Sequence, residues 1–275
     1  MHFSRSRNVN LRWCVHASRH PHTWLLLALA LLGLGASATA TAASNPGYDR
    51  PGYGFTPVVL SAGDIIIEQG LPDWNRDRQD GISSSQFSAD SLLRVGLGGP
   101  LELQFGTSLY NLLQQTSASA AITRHGHGDS HLALKLALPS SNQGFSWGLL
   151  GSVEWTDGAK DFRDDHRQYL LGAQVNLEVN AEQSLGTYLE NIRSNGKDSM
   201  TLALSDNFTV TPSLTIYAEA VAVHLANRGN GTLAGTGLAW MLNSRTQLDA
   251  GFDRRLSGAA TPWQANLGVS VYFGR

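Results

Sequence analysis

From Leu92 to Gly106 the chain reads LLRVGLGGPLELQFG, with apolar and polar residues taking turns on both sides of a Gly-Gly-Pro corner. Leu93, Val95 and Leu97 precede the corner and Leu101, Leu103 and Phe105 follow it; Arg94, Gly96, Glu102 and Gln104 fall between them. Alternation with period two puts the two sets on opposite faces of a β-strand. A corner this short predicts a hairpin. The pattern recurs along the chain about twelve times, mostly in segments of the ~9–11 residues that a membrane-spanning strand needs. Examples are Ile65 and Ile67, Leu132 to Leu138, Tyr169 to Leu177, Met200 to Leu204, Leu238 to Leu242, and Trp263 to Phe273.

Alternation does not say which face is inside. In a soluble β-protein the leucines face a core; in an outer-membrane barrel they face lipid and the charges face the lumen. The connections discriminate. Short ones at 98–100, 139–144, 180–183, 211–213 and 243–245 alternate with longer polar ones at 72–86, 111–128, 156–166, 193–198, 226–231 and 256–262. Short periplasmic turns and longer outer loops are the habit of outer-membrane barrels. Trp147, Trp155, Tyr169, Trp263 and Phe273 sit near strand ends, as an interfacial girdle would. The expected fold is all-β: a single antiparallel, up-and-down transmembrane barrel of about 12 strands. A periplasmic lipocalin-like or sandwich protein is the alternative.

The N-terminus agrees with export. Residues 1–42 hold Arg5, Arg7, Arg12 and Arg19 and no acid, then the apolar run beginning at Trp24, then small residues with several A-x-A sites. This order predicts a cleaved signal peptide over 1–42, an irregular leader over 43–57 and a barrel over 58–275. Removing the four arginines from 20 basic residues leaves 16 against 22 acidic ones, which argues against a nucleic-acid partner. The single cysteine, Cys14, falls in the signal segment.

If the leucines face lipid, the opposite parity lines the lumen. It carries Glu68, Asp90, Arg94, Glu102, Lys135, Glu154, Glu190, Glu219 and Asp249, with Glu178 and Asp253 in the same set. Ionised groups next to hydrocarbon need water or a partner, and Arg94 and Lys135 are expected to pair with neighbouring acids. Such a network either fills and rigidifies the barrel or lines a working pore; the sequence leaves both open.

No catalytic, cofactor or metal site is expected. His125, His127, Asp129 and His131 lie close together, but parity turns only Asp129 and His131 inward and leaves the other two on a Gly-rich outer loop. His224 has the lipid-facing parity, without an outward serine that has an acid or amide partner in register.

Five ordered pieces carry a resemblance: RPGYGFTPVVLSAGDIIIEQG, LLRVGLGGPLELQFG, GDSHLALKLAL, TPSLTIYAEA, and GTGLAWMLNSRTQLDAGFDRRLSG followed by WQANLGVSVYF. Across Asn45 to Phe273 the chain resembles the phenol-degradation meta-pathway (MetA) family of outer-membrane transporter-like barrels. By that resemblance Glu68, Arg94, Glu102, Asp129, Lys135, Glu219 and Asp249 fall on recurring polar positions. It implies a barrel and passage of small organic molecules. The leading expectation is therefore a channel or transporter in the outer membrane of a Gram-negative bacterium, passing small molecules, aromatic or apolar ones among them. Its expected partners are outer-membrane lipid, the solute and the barrel-assembly machinery. The alternatives are a lipid-modifying barrel enzyme and a non-conducting structural or adhesive barrel.

Overall fold

The computed structural model describes residues 47–79, 81–138 and 144–274. The expected signal segment lies outside them, as does most of the turn at 139–144. Thirteen strands follow one another: β1 (Ile65–Gln79), β2 (Ile82–Gly98), β3 (Leu101–Thr116), β4 (Ala121–Gly126), β5 (Ser130–Leu138), β6 (Phe145–Glu154), β7 (Gln168–Glu178), β8 (Gln183–Ser194), β9 (Lys197–Thr211), β10 (Leu214–Leu225), β11 (Gly229–Asn243), β12 (Thr246–Gly258) and β13 (Trp263–Phe273). Every pairing is antiparallel. β1 pairs with both β2 and β13, so the sheet closes. β4 and β5 share one edge: β3 pairs with β4 over Asn111–Thr116 and with β5 over Leu101–Thr107. The result is a twelve-strand barrel with one extra short strand. Among the described residues closure pairs every strand except β4 on both sides, while β4 pairs with β3 alone and keeps one side outside the ladder.

Burial is inside out. Leu171 is 64 % exposed and Leu267 52 %, whereas Arg94, Glu102 and Lys135 are completely buried. Ile67, Leu93, Leu134, Leu189, Leu202, Ile216 and Leu238 also face outward. Period two held against a closed wall makes this sorting possible, and hydrocarbon outside makes it stable.

The outer connections are shorter than the hydropathy suggests. β1 and β2 are joined by residues 80–81, β3 and β4 by 117–120, β8 and β9 by 195–196, β10 and β11 by 226–228, and β12 and β13 by 259–262. Among the described connections only 155–167, between β6 and β7, is a long loop. The polar stretches are mostly ladder: Asp73 pairs with Ser88, Arg76 with Ser85 and Arg78 with Ser83. Strands such as the 17-residue β2 exceed the ~9–11 residues that span hydrocarbon. Beyond the bilayer both faces are wet, so alternation fades while pairing continues. The turn at Asn195 and Gly196 has positive φ at both residues (48° and 74°), which suits the twist of a tight hairpin.

One band of irregularity crosses the wall. The register shifts in β1 between Gly70 and Asp73 and again between Ser88 and Asp90 of β2, where β3 carries the extra residue. β4 breaks from β5 at the same height, where the Gly128 amide donates to the Ser108 carbonyl. Bulges of this kind bend a sheet and change which parity faces in. In β3 the buried positions change from Glu102, Gln104 and Ser108 to Asn111 and Leu113.

Candidate functional site in the barrel lumen

Residues 47–64 lie inside the barrel and form a plug. The segment is rich in Gly and Pro and has no alternation, so it cannot add to the sheet; its polar atoms must find partners elsewhere. They find them around the wall. Tyr48 Oη donates to the Arg245 carbonyl at the short-turn end (2.8 Å). Arg50 reaches Asp73 on β1 (2.7 Å) and Asp249 on β12 (3.3 Å). The Tyr53 amide donates to Glu219 on β10 (3.0 Å), and Gln264 on β13 donates to Tyr53 Oη (3.0 Å). The Phe55 ring meets Tyr188 on β8 edge to face, 5.9 Å between centroids. The Leu60 amide donates to Glu102 on β3 (3.1 Å), and the Gly96 amide on β2 donates to the Asp64 carbonyl (3.0 Å). Two glycines are required by contact. Gly54 (φ 100°) has the Gln174 side chain where a Cβ would stand, and a Cβ at Gly96 would strike the Ser61 carbonyl.

The floor of the plug is a charged cluster. Arg94 on β2 grips Glu102 with two bonds, Nε to Oε1 (2.8 Å) and Nη2 to Oε2 (3.1 Å), and gives Nη1 to Glu68 (2.8 Å). Lys135 on β5 bonds Glu102 (3.1 Å) and Asp49 of the plug (3.1 Å). Gln104 donates to Asp49 and Glu102. The two oxygens of Glu68 accept the Asp49 and Arg50 amides at 2.9 Å. Charges out of water persist only when paired and hydrogen-bonded like this. Removing one member strands the others.

Above the floor the lining changes. Ala203, Val221, Val223, Leu225 and Leu233 of β9–β11 turn inward and pack with Phe55 and Ala260. At the outer rim Arg228, in the β10–β11 turn, reaches Asp77 on β1 (3.1 Å). That ion pair spans the mouth over β11, β12 and β13.

Six of the nine expected lumen residues bond residues 47–64 directly: Glu68, Arg94, Glu102, Lys135, Glu219 and Asp249. The other three make other contacts. Asp90 accepts from Ser88 Oγ beside the bulge (3.1 Å). Glu190 accepts from Tyr188 Oη (2.7 Å). Glu154 lies with Asp129 and Asp164, their carboxylate oxygens within 4.8 Å of one another. Glu178 is exposed at the short-turn end.

The four clustered polar residues near 125–131 do not converge. His125 belongs to β4 rather than to a loop and stacks on Tyr110 (6.4 Å). His127 faces the Gly128 carbonyl, and His131 lies over Gly106. Asp129 accepts the Gly158 and Asp164 amides at 2.7 Å and so anchors the 155–167 loop. In the same loop Asp157 accepts from the Ser130 hydroxyl and amide, which holds its carboxyl below the usual range. His224 bonds Asn230 Oδ1 at 2.6 Å on the outer wall, and among the described residues no hydroxyl joins that pair. The residues the alternation missed are Asp49, Arg50 and Tyr53. A strand-period search passes over them, although an Asp-Arg pair set between Gly-Tyr and Pro-Gly in a leader was a visible signal.

No protein-family model matches the sequence, and no curated protein matches it either. Solved structures do match in three dimensions. An outer membrane channel from Pseudomonas putida F1 superimposes with a TM-score of 0.61 at 15 % identity, covering 78 % of this chain and 97 % of that one. The KdgM porin gives 0.50 at 12 % identity over 77 % and 99 % of the two chains. The same porin in complex with disordered oligogalacturonate gives 0.50 at 13 %. The architecture is thus that of the outer-membrane β-barrels.

Proposed function

We propose that the protein is an outer-membrane channel for small molecules whose lumen is closed by its own residues 47–64. The observation that carries this reading is the division of labour in the fold. The wall closes on itself without the plug, and the plug is held chiefly by side-chain hydrogen bonds and ion pairs rather than by ladder pairing. A segment held this way can leave while the barrel stays intact. The apolar inner patch of β9–β11 suits solutes with an apolar or aromatic part, as does the resemblance to the MetA family. The barrel likeness supports an outer-membrane location, with lipid around the wall, export by a signal peptide and insertion by the barrel-assembly machinery.

The filled lumen also favours a second reading, a non-conducting structural barrel. Single-channel recording in a planar bilayer separates the two. The wild type should give rare or brief current steps, and a chain lacking residues 47–62 should give long, large ones. Folded protein of both kinds that never conducts would leave the structural reading. For the lipid-enzyme reading, no hydroxyl hydrogen-bonds His224 among the described residues, although Thr232 and Ser257 share its outward face; it would require lipid turnover by the purified barrel.

A further inference from the structure

The lumen face of β10–β13 gathers oxygen atoms that no donor reaches. Glu219 on β10 and Asp253 on β12 share one row, each paired with Gly235 of β11 between them. Glu219 Oε2 accepts the Tyr53 amide, but Glu219 Oε1 and Asp253 Oδ1 are buried without a hydrogen-bond partner. Tyr217, only 7 % exposed, lays its ring over Gly237 and its hydroxyl over Gly251, the residue between Asp249 and Asp253 on the inward row of β12. That hydroxyl also has no partner. The Asn266 side-chain amide approaches the same point from β13, and its Oδ1 again has no partner.

The basic groups of the lumen are bonded elsewhere; Arg255, two residues beyond Asp253 on the same row, gives Nη1 to the Ala260 carbonyl (3.1 Å). Arg50 serves Asp73 and Asp249, and Arg94 and Lys135 serve Asp49, Glu68 and Glu102. Two facing carboxylates therefore remain, with a phenol and an amide oxygen beside them. Buried carboxylates without donors require either a counter-charge or a proton shared between them. An all-oxygen donor set selects hard cations over zinc or copper. Two acids match a double positive charge, and an irregular set of carboxylate, amide and hydroxyl oxygens suits calcium better than the strict octahedron of magnesium.

We propose that Glu219 and Asp253, with Tyr217 and Asn266, bind one divalent cation of the calcium type at the tip of the plug. Glu219 would then hold the ion by one oxygen and the Tyr53 amide by the other, so ion binding and plug seating reinforce each other by linkage. The inference holds whether or not the barrel conducts.

The test uses the purified full chain in detergent, stripped with a chelator and titrated with calcium chloride at constant ionic strength. Equilibrium dialysis should find an ion whose binding Asp253→Asn weakens by roughly tenfold or more. The thermal midpoint should rise by several degrees, and chymotryptic cleavage within 47–64 should slow. Tyr217→Phe, which removes only the hydroxyl, carries the same test if the acidic variants do not fold, and should weaken binding more modestly. Asp164→Asn, in the separate carboxylate group under the outer loop, should leave this binding unchanged. The proposal is overturned if sodium at matched ionic strength gives the same stabilisation, or if Asp164→Asn and not Asp253→Asn abolishes binding. It is equally overturned if no calcium binds and stability merely falls as pH rises, which would mean that the two acids share a proton.

Discussion

Asp49 of the plug stands 3.1 Å from Lys135 Nζ on β5, and neither side chain has more than marginal contact with solvent. This pair joins two parts of the chain 86 residues apart and sets the charge balance of the floor. The wall alone brings Arg94 and Lys135 against Glu68 and Glu102; the plug adds a third acid to the same cluster. The consequences of mutating the two partners therefore differ.

Lys135→Met leaves Asp49, Glu68 and Glu102 around Arg94 alone. Breaking a buried pair by deleting one member costs about 3–5 kcal/mol. Asp49→Asn keeps the wall balanced, since Lys135 retains Glu102, and should cost the barrel less while loosening the plug. Thermal unfolding of the two folded variants, followed by heat-modifiable gel migration, checks the order. Equal losses would show that the plug, not the wall, supplies the counter-charge that matters.

Gly96→Ala should unseat the plug without opening the barrel. Its Cβ would strike the Ser61 and Leu60 carbonyls, and overpacking of a tight contact typically costs about 1–3 kcal/mol. Chymotrypsin added to the folded variant should cut between Tyr48 and Leu60 faster than in the wild type. Unchanged protection would mean that the segment has another way to sit.

Leu189→Arg tests the lipid face. Leu189 lies near the middle of β8 and is 46 % exposed, so a charge there faces hydrocarbon and should cost about 2–4 kcal/mol. Leu256, 66 % exposed close to the outer end of β12, should tolerate the same change at about 0–1 kcal/mol. Refolding into lipid and denaturant titration measure both. Equal costs would contradict the depth of the wall in the bilayer.

Orientation is tested with single cysteines, and Cys14 in the expected signal segment is the only native thiol. Ser119→Cys, exposed in the β3–β4 turn, should react with a membrane-impermeant reagent on intact cells. Ser244→Cys, in the β11–β12 turn, should react only after the cells are opened. The reverse pattern would invert the barrel.

The sequence by itself determined the wall. Leu93, Leu134, Leu171, Leu202 and Leu238 sit on one parity and Glu68, Arg94, Glu102 and Lys135 on the other. Period two is a local property of a strand, and it survives wherever hydrocarbon lies on one side and a polar interior on the other. It failed in two places for physical reasons. In stretches such as 72–86 both faces are wet, so a ladder looked like a loop. At the bulge in β3 the parity itself changes, which left Asn111 and Leu113 unassigned to the interior. Only the tertiary structure decided what fills the lumen. Residues 47–64 have no periodicity to read; their place is fixed by Asp49 meeting Arg94 and Lys135, by Arg50 meeting Asp73 and Asp249, and by the room left at Gly96. Those partners come from strands far apart in the chain, and closure of the barrel is what brings them within reach of one short segment.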